Sequence, residues 1–218
     1  MIFTIPKEEV VAQLLKQLSN FFFLSEEEKS EIGQKVETVF ALCEQNFQLS
    51  NNKYFTVLQG GVKTPRFNAC HAVQYMTFLY YLSHELYKDS KIPNLCDKVY
   101  YLNKIMHSVD LFYAIELPVH FSAEHPLGTV MGRAKYGNGF FFYQNCTVGG
   151  TKDREGNISY PEIGENVHMF AGSSILGKCH IGNNVNIGAG AIVKNQDVPD
   201  NCTVFGESPN LIIKQRKI

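Results

Sequence analysis

At 218 residues the chain has room for one large domain or two small ones. Lys and Arg number 20 and Asp and Glu 21, a net charge of −1 that gives no global attraction to nucleic acid or anionic lipid. The hydrophobic fraction of 44% is that of a globular protein, and the longest apolar clusters, residues 21–24 and 140–143, are far too short to span a bilayer.

Residues 1–9 lack a basic segment followed by an apolar run, so no secretory signal is read and the expected location is the cytoplasm. From residue 6 to 18, Val10, Val11, Leu14, Leu15 and Leu18 form the stripe of an amphipathic helix. Ser25 followed by Glu28 predicts a capping box at the mouth of a second helix, with Ile32, Val36, Val39 and Phe40 on its buried side. Ser50-Asn51-Asn52 and Gly60-Gly61 mark loops. A third helix is predicted over residues 68–87, rich in Tyr75, Phe78, Tyr80 and Tyr81 and therefore buried on more than one side. A fourth spans residues 94–107. The first half reads as a helical bundle with a face available for oligomer contact.

From Leu111 onward the punctuation changes. Ile163, Met169, Ile175, Ile181, Ile187 and Val193 recur every six residues, and Val167, Ser173, Cys179, Val185 and Ala191, four further on, are small or β-branched. Six consecutive hits arise by accident on the order of once in several thousand trials. A hexapeptide β-helix produces that interval, because each short strand forms one flat side of a prism and sends one bulky residue inward. An earlier stretch is expected to keep it at Val130, Tyr136, Phe142 and Val148. Gly164, Asn166, Gly182, Asn183, Asn184 and Gly188 supply the corners. The polar stretch 151–160 interrupts the interval and is expected to be a functional loop extruded from a coil.

The six cysteines are scattered, with no CxxC pair, and Cys179-His180 is an isolated dipeptide at a repeat turn. Reduced, mostly packed thiols are expected, and no metal.

Val109-Asp110, then Glu124-His125-Pro126-Leu127-Gly128-Thr129-Val130-Met131-Gly132, then Asn145-Cys146-Thr147-Val148-Gly149-Gly150-Thr151 resemble the catalytic region of serine acetyltransferases. The coils 163–193, Val198-Pro199 and Phe205-Gly206-Glu207-Ser208-Pro209 extend the resemblance over residues 109–213, and it weakens in the helical half. The fold it implies is α+β: an N-terminal α-helical domain, residues 1–109, and a C-terminal left-handed parallel β-helix of hexapeptide repeats, residues 110–218. The activity it implies is acetyl-CoA-dependent O-acetyl transfer, with acetyl-CoA as acyl donor and no metal.

By that resemblance His125 is the general base and Asp110, fifteen positions earlier, orients it. A hydroxyl attacks a thioester poorly until a base takes its proton, and a carboxylate on the second imidazole nitrogen fixes the tautomer. Glu124 stands where the family holds the acceptor with an Asp. Gly149 and Gly150, with Thr151, match the backbone facing the thioester, and Ala171 and Ala189 match the small residues of the pantetheine groove.

The chain departs from the family where an Arg-His pair receives the carboxylate of serine: Ser159 and Tyr160 stand there instead. Arg154 is a candidate substitute. No acidic acceptor residue is found in the helical half, where residues 62–66 offer only bases. This loss tilts the expected acceptor slightly toward a cell-surface sugar or polysaccharide unit over L-serine. Serine acetylation, N-acetylation of an amino sugar and a silent β-helix scaffold are the alternatives. A homotrimer, which the helical half could double into a dimer of trimers, is implied, with no nucleic acid and no membrane span. The terminal Ile218 resembles the tail with which the family docks a partner enzyme, although the tail here is short.

Overall fold

The structure, a computed structural model, describes residues 1–50 and 52–216. Asn51, Lys217 and Ile218 lie outside the described residues, and with Ile218 the docking-tail expectation. The chain divides into two compact units, Met1–His107 and Ser108–Ile218.

In the first unit α1 (Lys7–Phe21) buries Val10, Leu14 and Leu18. Helix α2 (Glu26–Gln48) opens on the expected capping box: the Ser25 hydroxyl accepts from the Glu28 N–H at 3.2 Å, and the Glu28 carboxylate accepts from the Ser25 N–H at 2.9 Å. Helix α3 (Ala72–Asp89) is buried on several sides, its Phe78 ring stacked on Phe40 at 5.2 Å. It packs against α4 (Leu95–His107).

The reading of this half as a helical bundle needs correction. It also holds a three-stranded sheet, in which Val62–Phe67 pairs parallel with Ile2–Phe3 and antiparallel with Thr56–Gln59. Gly60 and Gly61 are its two-residue turn, at φ +58° and +81°. Pro65 lies inside the central strand, a residue that argues against a central strand when read in sequence.

The second unit is a three-sided prism of stacked coils in which the chain visits face 1, face 2 and face 3 in turn. Face 1 holds Phe121–Ala123, Phe140–Phe142, His168–Met169, Asn186–Ile187 and Cys202–Phe205 in parallel, with Ile212–Gln215 folding back antiparallel. Face 2 holds Val109–Leu111, Thr129–Met131, Thr147–Gly149, Ser174–Leu176 and Ile192–Lys194. Face 3 holds Lys135–Tyr136, Glu162–Ile163 and His180–Ile181, continued by a bridge to Val198.

The sixfold interval is the core. Ile163, Met169, Ile175, Ile181, Ile187 and Val193 are all buried, as are Val167, Ser173, Cys179, Val185 and Ala191 at the corners. In the earlier stretch Tyr136, Phe142 and Val148 keep the phase, stacking on Ile163, Met169 and Ile175; only Val130 fails, because Met131 is buried and pairs with Val148 while Val130 faces outward. Two adjacent apolar residues left the phase undetermined, and a one-residue shift exchanges the faces of a strand. Asn166 and Asn184 turn their corners at positive φ, and their side chains link into a ladder with Asn201 at 3.1 and 2.9 Å. Gly137 serves by close approach: a Cβ there would stand 2.2 Å from the Gly164 carbonyl oxygen of the next coil.

All six cysteines are free thiols, and burial raises the pKa of Cys43 and Cys179. Among the described residues no helix is long and apolar enough to cross a membrane and no His, Cys, Asp and Glu cluster suits a metal ion.

Candidate active site

The edge where face 1 turns into face 2 carries His125. Four residues lie between Phe142 and Thr147, whereas six lie between Ala123 and Val130, the positions stacked on them. The extra two residues make a bulge at Glu124-His125-Pro126. His125 itself adopts φ +50°, a left-handed conformation that the second unit otherwise gives to Asn, Gly and Ser108. That conformation costs a β-carbon-bearing residue about 1–2 kcal/mol. The corner is held by its backbone: the His125 carbonyl accepts from the Leu127 N–H, Gly128 N–H donates to Ser108, and Asn145 N–H donates to Leu127, all at 2.8 Å. The imidazole projects outward with its side chain 80% exposed.

Glu124 Oε1 stands 4.0 Å from His125 Nε2. Beside it is Tyr143, whose hydroxyl pKa is raised by burial and by the hydrogen bond and charge of Glu124. The Tyr143 ring stacks on Phe170 at 5.5 Å and meets Phe141 edge-on at 5.1 Å. Tyr143 drew no attention in the sequence, where residues 140–143 read only as a short apolar cluster. Asp110 is half-buried in the Val109–Leu111 strand of face 2, opposite Val130, on the rung stacked against the strand that the His125 corner feeds. Ala171 and Ala189 lie on the same edge as His125, one coil apart, with Gly190 N–H donating to the Ala171 carbonyl at 2.9 Å.

The other expected site residues occupy a different edge, where face 2 turns into face 3. Gly149 ends its face 2 strand, and the interruption that follows is a β-hairpin rather than an irregular loop. Thr151–Lys152 pairs antiparallel with Ile158–Ser159. Asp153 organises its tip by accepting from the backbone N–H groups of Glu155 and Asn157, both at 2.9 Å, and from the Asn157 amide at 3.0 Å. These hydrogen bonds, that of the Asn157 amide foremost, lower the Asp153 pKa. Thr151 Oγ1 donates to Asn195 Oδ1 at 3.1 Å.

The two glycines differ physically. A Cβ on Gly150 would stand 2.8 Å from side-chain atoms of Ile158 and Tyr160, so Gly150 lets the hairpin close onto its own base. A Cβ on Gly149 would meet only Leu176 at 3.9 Å, an ordinary contact, so nothing within the protomer requires a glycine there.

The second edge also carries a cleft of about 500 Å³, lined by Tyr160 and by residues of the preceding turns, among them Glu116 and Arg133. Arg154, the candidate substitute cation, is exposed at the hairpin tip and does not line this cleft. Arg133 and Glu116 were missed in the sequence, since neither belongs to a motif. Within one protomer, then, the expected residues fall on two edges: Glu124, His125, Ala171 and Ala189 on one, and Gly149, Gly150, Thr151, Ser159 and Tyr160 on the other.

Residues 160–195 match the family profile of the bacterial transferase hexapeptide, six repeats. A serine acetyltransferase of Staphylococcus xylosus is 34% identical over 135 residues, covering 62% of this chain and 61% of that relative. The chain thus spans about three-fifths of the length of this curated relative. The crystal structure of Neisseria gonorrhoeae serine acetyltransferase superposes with a TM-score of 0.66 at 25% identity, over 87% of this chain and 72% of that one. A serine acetyltransferase solved in complex with CoA gives a TM-score of 0.63 at 20% identity, over 86% of this chain and 74% of the other. The repeats and these neighbours imply a left-handed β-helix with an N-terminal helical region, and the chain resembles serine acetyltransferases in both sequence and fold.

Proposed function

We propose that this chain, a hexapeptide-repeat β-helix of serine acetyltransferase type, is an acetyl-CoA-dependent O-acetyltransferase with His125 as general base. The observation that carries the reading is the two-residue bulge that projects an imidazole from the same prism edge as Ala171 and Ala189. The acceptor hydroxyl attacks the thioester carbonyl while His125 takes its proton. A C–O bond forms, the tetrahedral oxyanion collapses, the C–S bond breaks, and the proton passes to the departing thiolate of CoA. General-base assistance of this type contributes about 10²–10⁴ in rate.

Asp110 is assigned the orienting role by its spacing from His125, and Glu124 the acceptor, with Tyr143 beside it. Gly149, Gly150 and Thr151 offer main chain to the thioester, and Ala171 and Ala189 leave room for pantetheine. The steric freedom at Gly149 supports this, because a glycine the protomer does not need is explained by a molecule passing close to it.

Since these residues occupy two edges, a complete site requires the His125 edge of one copy against the hairpin edge of the next. A homotrimer provides three such meetings by rotation about one axis. The first unit is then free to pair trimers into a dimer of trimers. The reaction is assigned to the cytoplasm.

For the acceptor, the relatives named above favour L-serine. The tilt toward a sugar, which rested on Ser159 and Tyr160, gains no support from them. Release of free thiol from acetyl-CoA separates the readings: the expected result is release with L-serine and acetylated serine as co-product. Release only with sugars would move the acceptor to a carbohydrate, and no release with any hydroxyl acceptor would leave the scaffold reading.

A further inference from the structure

A column of side chains climbs the outside of face 1 to the His125 corner. Ala123 pairs with Phe142 and Phe142 with Met169, so the residues that follow them, Glu124, Tyr143 and Phe170, stand on successive coils. The Tyr143 ring stacks on Phe170 at 5.5 Å, and Phe141 meets it edge-on at 5.1 Å. Its main chain is fixed as well: the Tyr143 N–H donates to the Met169 carbonyl at 3.0 Å, and the Tyr143 carbonyl accepts from Thr129 Oγ1 at 2.9 Å. A ring held in this way delivers its hydroxyl to one place, the Glu124 carboxylate, to which it donates a hydrogen bond.

Glu124, by contrast, is a long side chain and half exposed, and its Oε1 stands 4.0 Å from His125 Nε2, beyond hydrogen-bonding reach. A carboxylate free to swing would close on the imidazole. Contact would hold a proton on Nε2 and favour the imidazolium, whereas a general base must be neutral to accept one. Other titratable groups near the corner are Asp110, on the face 2 strand that pairs with Thr129–Met131, and Cys146 in the coil beneath. Cys146 is buried, its Sγ turned to the Met169 and Phe170 carbonyls at 3.6 and 3.2 Å.

We infer that Tyr143 is a positioning residue, its hydroxyl holding the Glu124 carboxylate off the His125 imidazole and turned toward the acceptor. This rests on the proposed roles of His125 and Glu124 in acetyl transfer. The proton that His125 takes is the acceptor's, and Tyr143 neither gives nor receives one. Burial and the Glu124 carboxylate push the pKa of its hydroxyl up, which keeps it a donor.

The test is an NMR titration of the His125 imidazole in the assembled full chain, with isotope-labelled histidine and the His125 signal assigned by its loss in His125→Asn. Tyr143→Phe keeps the ring contacts and removes only the hydroxyl. The released carboxylate then favours the imidazolium, so the midpoint is expected to rise by about one pH unit, a tenfold smaller neutral fraction on the acid side. The acidic limb of the thiol-release pH profile is expected to rise with it. In a Glu124→Gln background Tyr143→Phe is expected to move neither, because no charge is left to close. A midpoint that stays or falls in Tyr143→Phe overturns the inference, as does a rise that persists with Glu124→Gln. The titration needs no turnover, so the two readings fail separately. The expected rise without thiol release to any hydroxyl acceptor retains the positioning role and removes acetyl transfer, whereas turnover with an unmoved midpoint does the reverse.

Discussion

His125→Asn is expected to reduce acetyl transfer about 10²- to 10⁴-fold, the contribution of a positioned general base, without loss of fold or assembly. Asn is chosen for a backbone reason. His125 sits at φ +50°, and Asn already occupies that conformation at Asn145, Asn166, Asn184, Asn195 and Asn201 of the same prism. The substitution therefore removes the imidazole and imposes no new strain, whereas Ala would combine the chemical loss with an unfavourable backbone. The side chain is 80% exposed in the protomer, so no core packing is lost. Thiol release measured beside circular dichroism and sedimentation checks this. A variant retaining near wild-type turnover removes His125 from the mechanism.

Phe142→Ala is expected to destabilise the second unit by about 3–5 kcal/mol, the usual cost of emptying a large buried site. Phe142 is fully buried on face 1, between Ala123 in the coil above and Met169 in the coil below. Its loss opens a cavity directly beneath the strand leading to the His125 bulge. A fall of roughly 13–21 °C in the melting midpoint of this unit follows from that free energy. Activity should then disappear with the fold on heating, in contrast to His125→Asn, which should be inactive while folded. A midpoint within 1 °C of wild type would contradict the packing described for this coil.

The prism was legible in the sequence because each of its strands sends one bulky residue inward, so the coil writes its period directly into residues 163–193. The phase failed at Val130 and Met131, where two neighbouring apolar residues fit either face and only stacking against Val148 decides. The sheet of the first unit was hidden by Pro65 and by a Gly60-Gly61 turn that reads equally well as a loop. The hairpin at residues 151–159 was hidden because its pairing is short and its side chains polar.

The site shows the same division. His125, Gly149 and Gly150 could be singled out because each sits in a short contiguous motif, residues 124–132 for the first and 145–151 for the other two. Their separation onto two edges could not, since it depends on how many residues each corner consumes. Glu116, Arg133 and Tyr160 are far apart in sequence and come to one cleft only through the stacking of successive turns.

That division between edges is tested most directly by complementation. Gly149→Leu keeps the protomer folded, because a Cβ there meets only Leu176 at 3.9 Å, yet fills the hairpin edge where the acyl donor would pass. With His125→Asn blocking the other edge, each variant alone should be inactive. Co-expressed in equal amounts, mixed trimers should contain one intact meeting of edges each, recovering about a quarter of the wild-type rate. Recovery of that order is the predicted result; mixed assemblies no more active than either parent would contradict a site shared between copies.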